Sequence, residues 1–414
     1  MKPHLPSVAA RTISPRAAAR LRVGLLAFTL LAAAAAAQTP PLYSRWINYT
    51  PANGFPRGEV YCVAIAGPRV WAGTEHGLAL IENGRLRKVF TRADGLAAYA
   101  IMSLAVDPNT GDLWIGGLGG LSRYSAGKFI NYTVLSSGLA NDLVYSVAVR
   151  GKYVWAATAA GVSRLNTWTH SWRIFSVVGK PSAPFEEPWA YALAIGPKKA
   201  YIGLWGGGVV VYDLRRKTWR PYLDPDGAPE IVLYRNQGLI SNMVSSLTHG
   251  AESNAFWAGT YFGLSGYDGA RWHNYMRQDS GLASNFINGV ALQGRRVWAA
   301  TQRGLSEFDP GARVWVTYRP ANWRALDAGK AARPQRGEIL ITGPGGHPRR
   351  LETATSLAHN YILNLAFQGN DIWVATAAGL SHGFAAPARR ILYAHPNRVH
   401  RHPARAAYAR QTRH

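Results

Sequence analysis

The chain has 414 residues, 48% of them hydrophobic and only 16% charged, which excludes a disordered polyampholyte and leaves ample material for a large core. Its net charge of +24 suggests a nucleic-acid binder until it is divided: five positive charges fall in the first 37 residues and seven in residues 385–414. Only half of the excess stays on the body, a basic surface suited to non-specific attraction of anions rather than a nucleic-acid groove.

Residues 1–37 are expected to be a signal peptide. Lys2, Arg11, Arg16, Arg20 and Arg22 precede an apolar, Ala-rich run from Leu25 to Ala37, with cleavage expected near Ala37-Gln38. The run is shorter than a bilayer span of about 20 residues, and nothing after it is long and apolar enough to cross a membrane. A periplasmic or secreted protein without a transmembrane segment follows. Cys62 is the single cysteine, so no intrachain disulfide can form; it falls in an apolar inner-strand segment and is expected to be a buried structural thiol.

From there the chain repeats one unit of roughly forty residues. An aromatic, two small or apolar residues, a Thr or its equivalent, two variable residues and Gly-Leu recur from Trp71, Trp114, Trp155, Tyr201, Trp257, Trp298 and Trp373. Before each lies an inner-strand candidate such as Val144-Tyr145-Ser146-Val147. Gly95-Leu96, Gly138-Leu139, Gly238-Leu239 and Gly281-Leu282 mark strand entries where Gly is expected to supply positive φ. A third strand follows the motif, and a fourth carries two aromatics three apart, as in Phe129/Tyr132, Trp172/Phe175 and Trp315/Tyr318. One such pair, Trp46/Tyr49, precedes the first repeat, and none follows the last. An all-β, seven-bladed β-propeller of four-stranded blades is therefore expected over residues 38–384, with the N-terminal outer strand completing the last blade and closing the ring. The motif aromatics belong in the wedges between blades, where adjacent small residues let sheets approach. The longest interval between motifs contains an Arg-, Gly- and Pro-rich insertion at about 320–353, expected to be a partly ordered flap. Residues 385–414, with seven Arg, four His and no acid, are expected to be a disordered basic tail.

The stretch Leu113-Trp114-Ile115-Gly116 to Gly120-Leu121-Ser122-Arg123-Tyr124 resembles the two-component regulator propeller repeat. The resemblance extends over about residues 42–384. It implies the propeller fold and a sensor-like role, since in that family the repeats form the periplasmic sensor part of membrane-spanning histidine kinases, often ones answering to carbohydrates. No kinase or receiver segment accompanies the repeats in this chain, so phosphotransfer is not implied.

No metalloprotease motif, nucleophile elbow, phosphate loop or dinucleotide fingerprint is present, and the His residues show no ligand-spaced pairs in the body. No cofactor, metal site or nucleic-acid partner is expected, and a monomer is. Two variable columns of the repeat are expected to meet at one mouth of the central channel: the starts of the inner strands and the turns after the motif strands. They supply the candidate ligand residues His76, Tyr99, Asp142, Trp189, Trp205, Asn242, Tyr261, Asn285, Arg303 and Tyr361, flat aromatics among hydrogen-bonding groups. The leading expectation is an exported propeller that binds a carbohydrate or a protein partner there. One alternative is a propeller lyase or hydrolase acting on a polysaccharide or lactone, with Glu59, Glu75, His76, Asp142 and Tyr361 as acid and base candidates. Another is a protein-interaction scaffold using the insertion and the tail.

Overall fold

The repeat motif accounts for its own geometry once its polar atoms are followed. In the computed structural model, which describes residues 41–176, 187–227, 235–250, 255–330, 334 and 336–386, Thr74 donates its hydroxyl to the Gly77 carbonyl (2.9 Å) and accepts from the His76 amide (3.1 Å). Thr158, Thr260, Thr301 and Thr376 repeat both bonds in four other units. The Gly that closes this turn has positive φ, for example 133° at Gly304, where a Cβ would sit 2.9 Å from the Tyr318 carbonyl oxygen. A side chain is excluded there twice over, by backbone conformation and by contact. The Ser of Gly-Leu-Ser is buried and accepts the amide of the incoming crossover loop: Ala97 on Ser122, Ala140 on Ser163, Ile240 on Ser265, Ala283 on Ser306 and Ala358 on Ser381.

Seven antiparallel sheets result, each with its innermost strand first in sequence: Val60–Ala66, Ile101–Val106, Val144–Arg150, Ala190–Ile195, Val244–His249, Ile287–Gln293 and Ile362–Gln368. Each innermost strand packs on the next, and the seventh packs on the first, so the ring closes. In the seventh blade the outer strand is Leu42–Tyr49, paired to Gly379–Ala386. Both parts of the expected architecture, seven four-stranded blades and closure by the N-terminal strand, are present.

Between blades the motif aromatics are buried: Trp71, Trp114, Trp155, Tyr201, Trp298 and Trp373 are all under 4% exposed. The second aromatic of the outer strand stacks on the motif Trp in five blades, as Tyr49 on Trp373, Tyr132 on Trp114, Phe175 on Trp155, Tyr275 on Trp257 and Tyr318 on Trp298. Such offset stacks add roughly 0.5–1.5 kcal/mol each beyond area burial. The small residues after the motif Trp face the next blade: a Cβ on Gly116 would lie 2.6 Å from Val144, and one on Gly203 2.6 Å from Val244. Cys62 is buried in this layer, and burial pushes its thiol well above the usual range.

Two expectations are corrected. The insertion is not a flap: Gly337–Thr342 and Pro348–Thr353 form a hairpin that continues the sixth sheet outward from Val314–Pro320, making it six-stranded. A short helix, α1 (Trp323–Asp327), links the two parts and buries Trp323 and Leu326. The entry glycines also divide. Gly95 has φ of 95°, but Gly138, Gly238 and Gly281 do not take positive φ. They are needed for space, since a Cβ would lie 2.5 Å from Trp172 Cγ at Gly138 and 2.7 Å from Trp315 Cγ at Gly281. The expected leader, and the expected tail beyond Ala386, lie outside the described residues.

Candidate functional site at the channel mouth

The two variable columns do meet. In all seven blades an amide of the turn after the motif strand donates to the carbonyl just before the innermost strand: Glu75 to Glu59, Leu118 to Ala100, Ala159 to Leu143, Trp205 to Trp189, Tyr261 to Met243, Gln302 to Phe286 and Ala377 to Tyr361. This hydrogen-bonded rim surrounds one mouth of the channel.

Within the rim the candidates fall into two groups. Asp142, Asn242 and Asn285 hold the loops that cross from blade to blade: their side-chain oxygens accept the amides of Val134 (2.8 Å), Asp224 (2.8 Å) and Arg277 (2.6 Å). Short polar side chains at turns bind nearby backbone in this way, and these three are loop braces in the structure. Arg303 pairs with Asp327 of α1 (3.3 Å), which also accepts from Asn360, so the insertion docks on the rim beside blades six and seven. His76, Tyr99 and Trp189 are exposed on the rim, Tyr99 at 55% and Trp189 at 47%. Trp205, Tyr261 and Tyr361 are half-buried, and Tyr261 borders the channel.

A third column, absent from the expectations, lines the channel itself. Every innermost strand carries a register shift at its start, between Val60/Cys62, Ile101/Ser103, Val144/Ser146, Ala190/Ala192, Val244/Ser246, Ile287/Gly289 and Ile362/Asn364. The residue inside each bulge turns into the channel: Tyr61, Met102, Tyr145, Tyr191, Ser245, Asn288 and Leu363 all border one cavity of about 310 Å3. Bulges re-aim a single side chain in this fashion. The signal was in the sequence, because the apolar residues of the inner strands stand three apart (Val144/Val147, Ile287/Val290) and not two, as an unbulged strand would require.

The bulge and rim residues together form a row of aromatic contacts through blades three to six. Tyr145 stacks on Tyr191 (centroids 4.2 Å, 12°), Tyr191 meets Trp205 (4.9 Å), Trp205 meets Tyr261 edge-on (4.5 Å, 87°), and Tyr261 meets Phe286 (3.7 Å). Blades one and seven contribute polar groups instead. The Tyr61 hydroxyl lies near the Glu59 and Glu75 carboxylates, and Tyr361 lies near Gln302 and Asn288. Burial, with the neighbouring Glu75 carboxylate, raises the Glu59 carboxyl above its usual range; burial and Glu59 push Tyr61 up to about 12. At neutral pH Tyr61 is therefore a hydrogen-bond donor. Among the described residues no cluster of three or more His, Cys, Asp or Glu could hold a metal ion, and no helix is long and apolar enough to cross a membrane.

No family model and no curated protein matches the chain. Among solved structures it is similar to the extracellular domain of BT3049 from B. thetaiotaomicron, named for a hybrid two component system, with a TM-score of 0.60 and 17% identity over 85% of this chain and 42% of that one. It is also similar to the computationally designed Ika8 protein, with a TM-score of 0.50 and 12% identity over 80% of this chain and 97% of that one. These likenesses establish the fold. The chain spans less than half the length of the BT3049 structure it matches.

Proposed function

We propose that the protein is an exported, sensor-like binding propeller whose channel mouth takes a neutral carbohydrate. The observation that carries this reading is the channel lining: Tyr145, Tyr191 and Tyr261, part of a row of aromatic contacts that runs through Trp205 to Phe286, border one cavity with Tyr61, whose neighbours are Glu59, Glu75 and Tyr361. Flat apolar rings suit the faces of sugar rings, and carboxylate, phenol and amide groups suit their hydroxyls. A cavity of about 310 Å3 accommodates a small oligosaccharide end rather than a folded partner. The motif resemblance to two-component regulator propellers, and the fold shared with the BT3049 extracellular domain, support a sensing context.

The test is a thermal-shift screen of the protein against maltohexaose, cellohexaose and xylohexaose, because a ligand that binds only the folded state raises Tm. A saccharide-specific shift that disappears in Trp205→Ala and Tyr361→Ala supports the reading. Shifts that survive both substitutions, or none with any saccharide, overturn it. A second reading, a propeller lyase or hydrolase, is favoured by one observation: burial and the neighbouring Glu75 carboxylate raise the Glu59 carboxyl above its usual range, beside the Tyr61 phenol, an arrangement suited to a general acid. Saccharide cleavage lost in Glu59→Gln with binding retained would select it.

A further inference from the structure

At the opposite end of the blades, one position in the third strand faces the motif aromatic across the sheet. Four of the seven blades carry a titratable residue there, and in three of these it is bonded to the residue two before the aromatic, as an ion pair in two and as a His–carboxylate hydrogen bond in the third. Arg123 pairs with Asp112 (2.6 Å) in blade two, Glu307 with Arg296 (2.6 Å) in blade six, and His382 with Asp371 (2.9 Å) in blade seven. Blade three breaks the rule: Arg164 occupies the strand position, and Tyr153 stands where Asp112 and Asp371 stand in theirs. The guanidinium is half-buried over the rings of Tyr153 (4.5 Å) and Trp155 (5.2 Å), and burial, with Arg173 close by, holds its pKa below the usual range.

Arg164 lies in a cavity of about 890 Å3 between blades three and four whose other charged walls are Arg150, Lys152, Arg173 and Lys217. Among the described residues no Asp or Glu lines it. Among the described residues none of these five cations forms an ion pair with a carboxylate, and Asp213 in the adjoining turn accepts the amides of Arg215 and Arg216. Cations are held over rings instead: Lys152 over Trp168 (4.8 Å) and Arg173 over Phe175 (4.8 Å). The matching groove between blades one and two, about 600 Å3, contains Glu82 and Asp112, and there Arg69 is paired to Glu82 (3.2 Å). The same architecture is thus internally neutralised in one groove and left positive in the other.

We infer that the groove between blades three and four binds an acidic oligosaccharide, its carboxylate or sulfate groups meeting Arg164, Arg173 and Lys152 and a sugar face lying on Trp168. The indole is 76% exposed beside those cations, an apolar platform that a free inorganic anion would not use. This site lies away from the channel mouth and does not depend on the function proposed for it.

The test is calorimetric titration of the full chain with tetragalacturonate, with maltotetraose, inorganic phosphate and phosphatidylglycerol vesicles as separate arms. Tetragalacturonate binding weakened by salt is expected, with none of maltotetraose. Arg164→Gln and Tyr153→Asp, the latter restoring the acid that blade two has, should each weaken it about tenfold or more, which is about 1.4 kcal/mol. Trp168→Ala should weaken it about fivefold at unchanged Tm, and Trp205→Ala should leave it unaltered. Equal affinity in wild type and Tyr153→Asp overturns the site, as does absence of tetragalacturonate binding. Phosphate or vesicles binding as tightly, with the same Arg164 dependence but no Trp168 dependence, overturns the saccharide assignment.

Discussion

Within the closing strand, Tyr43 and Trp46 pack on the sixth blade and Tyr49 joins the seventh blade to the first. The Tyr49 ring stacks on Trp373 of the seventh blade (5.6 Å, 29°), lies against Phe55, and is 7% exposed, while its hydroxyl donates to the Gly84 carbonyl of the first blade (3.0 Å). Tyr49→Phe removes the hydrogen bond alone and is expected to cost about 1 kcal/mol. Tyr49→Ala removes the ring as well and is expected to cost about 3–5 kcal/mol, as large-to-small core substitutions do. At roughly 2 cal/mol/K of unfolding entropy per residue, a domain of this size loses roughly 1–2 °C of Tm per kcal/mol, so calorimetry should show a fall of about 1–2 °C for Phe and about 4–8 °C for Ala. Phe175→Ala, the equivalent ring in an ordinary blade (stacked on Trp155 at 5.6 Å), serves as the comparison. The closing strand lies at the start of the described chain, with Tyr43 and Trp46 packed on Trp298 and Tyr318 of blade six and Tyr49 holding its C-terminal end, so Tyr49→Ala should also hasten proteolysis within this strand below Tm, and Phe175→Ala should not. A Tyr49→Ala protein that melts within 1 °C of wild type would refute the argument that this strand carries the closure.

Gly304→Ala should destabilise by about 2–4 kcal/mol in a melt, against about 1 kcal/mol for Gly294→Ala, whose φ of 60° and open surroundings leave room for a Cβ. His382 stacks on Trp373 (4.0 Å), and burial holds its pKa below that of an exposed imidazole despite Asp371. The folded state therefore disfavours protonation; stability is full above the ordinary imidazole pKa of about 6.5 and falls as pH drops below it. Tm measured from pH 7.5 to 5 should decline less in His382→Gln than in wild type. Asn285→Ala leaves the Arg277 amide without its acceptor and should lower Tm by about 1–3 °C while leaving ligand affinity at the mouth unchanged, as befits a loop brace.

The scaffold was legible because the repeats impose the same constraints: in five units a Thr that ties its own turn, a Gly that admits no Cβ, and a Trp, or Tyr201 in blade four, that fills the wedge. The displaced pair Trp46/Tyr49 even announced the closure. The channel lining was harder to read, since a bulge at the start of each inner strand shifts the side-chain alternation by one residue, so attention fell on Tyr361 and Trp189 and not on Tyr61, Tyr145 and Tyr191. The bracing bonds of Asp142, Asn242 and Asn285 were not legible, because variable polar residues at turns have the same appearance whether they face solvent or brace a loop. The insertion misled through its composition: Arg, Gly and Pro suggested a flap, but the alternation in Gly337–Thr342 lets it pair with the exposed edge at Val314–Pro320. Arg164 emerges only when the blades are superposed: of the four titratable residues at that position, Arg123, Glu307 and His382 have a partner two before the aromatic and Arg164 does not.

The account rests most heavily on the bulge residues forming the binding wall of the mouth. Calorimetric titration of wild type and Tyr191→Ala with the neutral hexasaccharide that gives the largest thermal shift tests this directly. Tyr191 contacts both Tyr145 and Trp205, so its removal should break the aromatic row and weaken binding about tenfold or more without a matching loss of Tm. Affinity unchanged in Tyr191→Ala would place the ligand elsewhere and contradict the account.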